Sequence, residues 1–153
     1  MIYEIDQSGK VEDTAKDTVI CIACSDYHYA LIFNSNTKRR IQQLFRSINH
    51  SRRFTLYTFS ALVALALSRF PCQAVLIDNE YDGHFAHITR MVRIMTDYQS
   101  IQINFGRVGK RSPAHNIAYG VGRKTLRPNY NVTFEDIIKM LKKTEFEKRF
   151  KNA

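Results

Sequence analysis

The chain has 153 residues, 44% of them hydrophobic, which is one domain of ordinary size with enough apolar side chains for a real core and argues against intrinsic disorder. Its 23 Lys and Arg against 14 Asp and Glu leave a formal charge of +9, a balance that favours polyanionic partners, nucleic acid first among them. Three cysteines in a chain that opens on strand-like MIYEID rather than on a signal peptide argue against a disulfide framework and predict a cytoplasmic protein.

Ile2 to Asp6 reads as a strand that delivers Asp6 to its carboxyl end, followed by the turn signal Gln7, Ser8, Gly9. A polar loop to Asp17 leads into TVICIAC, Thr18 to Cys24, and Tyr27 to Phe33 is β-prone again. Together the three make an antiparallel meander. Cys21 and Cys24 form a C-x-x-C, but three positions along a strand put them on opposite faces, so core packing is expected rather than zinc or redox chemistry.

Asn36 or Thr37 is the expected cap of a helix with Ile41, Leu44, Phe45 and Ile48 on one face and Lys38, Arg39, Arg40 and Arg46 covering the rest. The Arg39, Arg40, Arg46, Arg52, Arg53 cluster is either a solvated helix face or a polyanion contact. Arg53 to Phe70 is an apolar helix stopped by Pro71; its apolar stretch falls short of the about 20 residues that span a bilayer, so no membrane segment is expected.

Ala74 to Tyr81, AVLIDNEY, is a buried strand that stops on two carboxylates, Asp78 and Glu80. Residues two apart on a strand share a face, so the like charges repel unless a cation or a proton offsets them. The pair is a metal site, an acid/base site or a helix cap, and the metal site is the reading favoured here. Asp82 and Gly83 then turn the chain, Asp82 as an N-cap, into a helix carrying Phe85, Ile88, Met91, Val92 and Met95 on one side. His84 and His87 fall on its solvated side, without a third ligand at sensible spacing.

Ser100 to Phe105 is the fifth strand, followed by the basic loop GRVGKRSP. That loop lacks the first glycine of a Walker sequence, Asn104 standing in its place, but a G-x-x-G before a helix N-terminus suits a phosphate backbone. Ser112 and Pro113 start a helix carrying His115, weakened at its far end by Gly120 and Gly122. After RKTLRP, Thr133 and Asp136 form a capping box for a last helix from Phe134 to about Phe150.

The order β-β-β-α-β-α-β-α with an extra C-terminal helix resembles the ribonuclease H superfamily, which includes RuvC-type junction resolvases. IYEIDQSG supplies Asp6, VLIDNEY supplies Asp78 with Glu80 close by, and SPAHNIAYGVGRK resembles the family's final helix, with His115 where an aspartate is usual. The resemblance implies an α/β fold with a five-stranded mixed sheet, its first and fourth strands side by side, in a domain over 1–124 with a helical extension over 125–153 packed on it. It implies a nuclease in which Asp6, Asp78, Glu80 and His115 are the catalytic and metal-binding residues, holding Mg²⁺ or Mn²⁺. Lys10, Arg107, Lys110, Arg111, Arg123 and Lys124 are the candidate contacts to DNA or RNA, branched or duplex. A resolvase of this kind would act as a homodimer, since four-way junctions have two-fold symmetry. The alternative is an inactive nucleic-acid-binding or assembly protein on the same fold, for which His115 is the best support.

Overall fold

The computed structural model describes residues 2–97 and 100–150. Strands β1 (Tyr3–Ser8), β2 (Thr18–Ala23) and β3 (His28–Phe33) form the antiparallel meander. Then come α1 (Ser35–Ser47), a single 3₁₀ turn, α2 (Phe54–Arg69), β4 (Ala74–Asp78) and α3 (Phe85–Met95). Next are β5 (Gln102–Gly106), α4 (Pro113–Gly122), β6 (Tyr130–Asn131) and α5 (Phe134–Leu141). The sheet is mixed and six-stranded, in the order β5-β4-β1-β2-β3-β6, with β4 and β5 parallel to β1.

The expected five strands are joined by a sixth, because Tyr130 and Asn131 pair with Leu31 and Ile32 at the edge of β3. Asn129 secures that edge: its side-chain oxygen accepts from the Ala30 amide at 2.8 Å and its own amide donates to the Ala30 carbonyl at 2.8 Å.

The two faces of the sheet are covered unequally. Ile5, Ile20, Ile22, Val75 and Ile77 point to the larger core, which α1, α2, α3 and α5 close. α2 lies at its centre, buried on all sides from Tyr57 to Leu67. No helix among the described residues is long and apolar enough to cross a membrane. On the other face α4 alone covers Val19, Cys21, Ala23 and Ala30 with Ala114, Ala118 and Val121. These small side chains let the helix lie close to the strands. All three cysteines are buried and unpaired, as packing residues.

Several boundaries depart from the sequence reading. β1 runs on to Ser8 because its pairing with β2 continues through Ser8 and Val19, so Asp6 sits within a strand rather than at its end. Gly9 then makes the turn at φ +76°, where a Cβ would collide with the Asp17 carbonyl. β4 ends at Asp78, before Tyr81. The cap of α1 is Asn34, whose oxygen accepts from Thr37 N at 2.9 Å, and His84 rather than Asp82 precedes α3. The Thr133 and Asp136 capping box is present, but α5 ends at Leu141 and the chain turns through 142–150. That turn seats Phe146 and Phe150 edge-on against Phe45, each with centroids 5.5 Å from it, which a continued helix would carry past the core.

Lys38, expected on the solvated face of α1, is fully buried. Its ammonium donates to the carbonyls of Lys10 (3.2 Å), Asp13 (2.9 Å) and Lys16 (2.6 Å) and so ties down the loop after β1. Burial pulls its pKa down to about 8, with Asp13 and Asp17 pulling it back up, and the group stays largely charged at neutral pH. Replacing it by Met leaves three carbonyls short of a donor, at about 1 kcal/mol or more each. Lys38→Met should therefore lose about 3 kcal/mol in urea denaturation at pH 7, and a loss under 1 kcal/mol would mean the loop holds without it.

Candidate functional site

Because side chains alternate along a strand, Glu4, Asp6 and Ser8 leave β1 on the α4 side, opposite to Ile5. The parallel register Ile5 to Ile77 places the next residues of the two strands, Asp6 and Asp78, beside each other where the pairing ends. Glu80 follows two residues beyond β4 and turns back to the same point. One carboxylate oxygen from each of Asp6, Asp78 and Glu80 lies within 4.8 Å of the others, and among the described residues this is the one such group of metal-ligating side chains.

Each carboxylate is held differently. Asp6 is 4% exposed; its Oδ1 accepts from the Gln7 amide and its Oδ2 meets His115 Nδ1, both at 2.8 Å. Asp78 Oδ1 accepts from the Val108 amide at 2.8 Å, which draws the loop after β5 over the strand ends. Glu80 Oε2 lies 3.9 Å from the ammonium of the largely exposed Lys10, a long ion pair worth little by itself. Two full charges 4.8 Å apart repel by about 3 kcal/mol at the effective dielectric of such sites. Burial, with the charge of Asp78 adding to it, accordingly raises the pKa of both Asp6 and Glu80, while Gln7 and His115 restrain the first and Lys10 the second.

Two more cationic side chains, Arg107 and Lys110, line the cleft of about 360 Å³ that the carboxylates and His115 share. Ser112 caps α4 through the Ala114 amide and donates its hydroxyl to Glu4 Oε1 at 2.8 Å, fixing the helix that carries His115. The loop is not a bare phosphate clamp, since the Val108 amide is already committed to Asp78.

The structure thus brings together Asp6, Asp78, Glu80, His115, Lys10, Arg107 and Lys110. His115 is attached to Asp6 and stands outside the three-carboxylate group. Arg111 is exposed away from the cleft lining, and Arg123 and Lys124 lie beyond the far end of α4. Much of the helical arginine cluster serves the protein itself. Arg39 donates to the Thr14 carbonyl at 2.8 Å, Arg40 stacks over Phe134, and Arg53 pairs with Glu145. His84 is exposed and His87 packs edge-on against Tyr57, neither in the metal-ligating group.

Sequence reasoning missed Gln7, Asn79 and Tyr81. Gln7 and Asn79 line the cleft, and the Tyr81 hydroxyl bridges Gln7 and Glu12 (3.0 Å to Glu12 Oε1). Adjacency to Asp6 and Asp78 was the signal available for the first two; nothing local marks Tyr81, whose partners are some seventy positions away.

Comparison of the chain with family models, with curated proteins and with solved structures finds no match in any of the three. The meaning of the site therefore has to come from its donors. Three hard carboxylate oxygens in one place, partly buried and repelling one another, fit a small divalent cation such as Mg²⁺ or Mn²⁺.

The raised pKa values fix a sign. Between their ordinary and their raised values the folded Asp6 and Glu80 keep protons that the unfolded chain has released, so ionising them above that window costs stability, and the cost is lost as pH falls through the raised values toward the ordinary ones. Asp78→Asn keeps the acceptor for Val108 while removing one charge. In chelator at pH 7.5 it should melt about 3 °C above wild type, the gap closing near pH 4, and Mn²⁺ should reverse the order. A variant that melts below wild type in chelator at pH 7.5 would contradict this electrostatic account.

Proposed function

We propose that the protein is a metal-dependent nuclease of ribonuclease H-like architecture that hydrolyses phosphodiester bonds of DNA or RNA. The observation that carries the reading is the convergence of Asp6, Asp78 and Glu80 to within 4.8 Å where the parallel pairing of β1 with β4 ends. The adjacency of the first and fourth strands, which the resemblance demands, supports it. So does the surrounding charge, because an acidic centre inside a protein of net +9 suits a cation that in turn meets a polyanion.

Asp6, Asp78 and Glu80 would hold the cation. When bound, it would supply Lewis-acid polarisation of the phosphodiester and offset the carboxylate repulsion. Lys10, Arg107 and Lys110 hold the nucleic-acid backbone across the mouth of the cleft. His115, one-third exposed, fixed through Nδ1 by Asp6 and lining the cleft, would exchange a proton with the attacking water or the leaving oxygen. A RuvC-like resolvase acting as a homodimer on branched DNA is the form of the proposal that predicts junction-selective cutting.

The second reading is an inactive nucleic-acid-binding or assembly protein. One observation favours it: the imidazole takes up Oδ2 of Asp6, the residue on which the cation site depends.

One comparison separates the two. Wild type, Asp6→Asn and His115→Ala are incubated with junction, hybrid and single-stranded substrates in Mg²⁺, Mn²⁺ or chelator. The nuclease reading predicts metal-dependent cleavage by wild type, none by Asp6→Asn, and roughly 100-fold less by His115→Ala. Tight binding without cutting under either metal would establish the second reading in its place.

A further inference from the structure

His115, Tyr119 and Arg123 follow one another at four-residue spacing and form one line along α4 and its C-cap. The imidazole at the start of the line touches Asp6. The Tyr119 ring lies 6.4 Å from it, nearly parallel at 11°, and is 50% exposed. Arg123 donates to the Tyr119 hydroxyl at 2.7 Å, with its guanidinium 5.4 Å from the ring centroid, so the aromatic plane is held from both ends.

Beside this line runs a groove of about 350 Å³, walled by Ser8, Gly9, Lys16, Tyr119, Gly122 and Arg123. It neighbours the acidic cleft on the same two elements, β1 and α4. Gln7 and His115 border the cleft, and the groove takes over at Ser8 and Tyr119. Gly122 lets helix and strand come this close, since a Cβ there would stand 2.9 Å from the Ser8 hydroxyl. Asp17 also lines the groove, but its Oδ1 is turned to the Ser35 amide at 2.8 Å. The groove thus offers two cationic side chains and one half-exposed aromatic ring.

An exposed tyrosine alone is ordinary surface. A half-exposed tyrosine flanked by a histidine and an arginine, in a groove that also carries Lys16 and neighbours the proposed phosphodiester site, matches the parts of a single-strand platform. A base inside a duplex has both faces covered by its neighbours, so only an unpaired base can stack there.

We propose that this groove takes an unpaired nucleotide next to the reacting phosphodiester, its base stacked on Tyr119 and its phosphate held by Lys16 and Arg123. The inference rests on the nucleic-acid part of the preceding reading and narrows it. The substrate class becomes nucleic acid that is single-stranded or opened beside the cut, as in a gap, flap or junction, rather than a continuous duplex.

The chain contains no tryptophan, so Tyr119→Trp installs a single fluorophore in the groove. This variant is titrated in chelator, where no cutting intervenes, with a single-stranded oligonucleotide, an abasic strand of equal length and a blunt duplex, while anisotropy of labelled strands reports binding to wild type. The groove predicts quenching by the base-bearing strand only. Tyr119→Ala should bind that strand about 10-fold more weakly, Tyr119→Phe should restore it, and Lys16→Ala and Arg123→Ala should each lower the salt slope by about one. Binding of the strand without quenching, or equal quenching by the abasic strand or the duplex, overturns the groove and leaves the nuclease reading standing. Failure of wild type to bind any nucleic acid overturns both.

Discussion

The parallel pairing of β1 with β4 is the constraint on which the rest depends. Its register, Ile5 to Ile77, fixes which side chains enter the main core and, one residue later, which two carboxylates meet. A slip of one residue in either strand would turn an aspartate into the apolar core and an isoleucine out of it, at a cost no site could offset. The hydrophobic pattern that folds the sheet is therefore the same pattern that assembles the acidic centre.

The second structural decision is the unequal cladding of the sheet. One face carries Ile, Val and aromatic side chains under four helices, while the other is floored by Cys21, Ala23 and Ala30 beneath Ala114 and Ala118. Small residues there bring α4 near enough for Ser112 to reach Glu4 and His115 to reach Asp6. The same closeness leaves a groove rather than a filled interface where Gly122 passes Ser8. The face that contributes least to the hydrophobic core is thus the face on which the carboxylates and His115 gather.

Much of this was legible in the chain, because it is written in local rules. Apolar runs ending in Asp or Glu marked β4 and its carboxylates, Ser112 before Pro113 marked the start of α4, and the Thr133 and Asp136 pair marked α5. What was not legible depends on partners remote in sequence. Lys38 is buried because three carbonyls of a loop more than twenty residues earlier surround it, and no helical pattern records that. β1 overrides the turn signal at Gln7 and Ser8 because β2 offers it further ladder bonds. α5 stops early because Phe45 offers Phe146 and Phe150 a better place than solvent, and β6 is too short to leave a periodic signature.

The central claim is that segments over seventy positions apart build one cation site. Its most direct test is substoichiometric Mn²⁺ added to isotope-labelled protein, with amide resonances followed for paramagnetic broadening. The account predicts that Gln7, Asn79 and Val108, from three separate stretches of chain, broaden first and together, and that Asp6→Asn abolishes the effect. Broadening that begins elsewhere, for instance around Asp97 or Glu145, or that survives Asp6→Asn, would show that no shared site exists between the two strands.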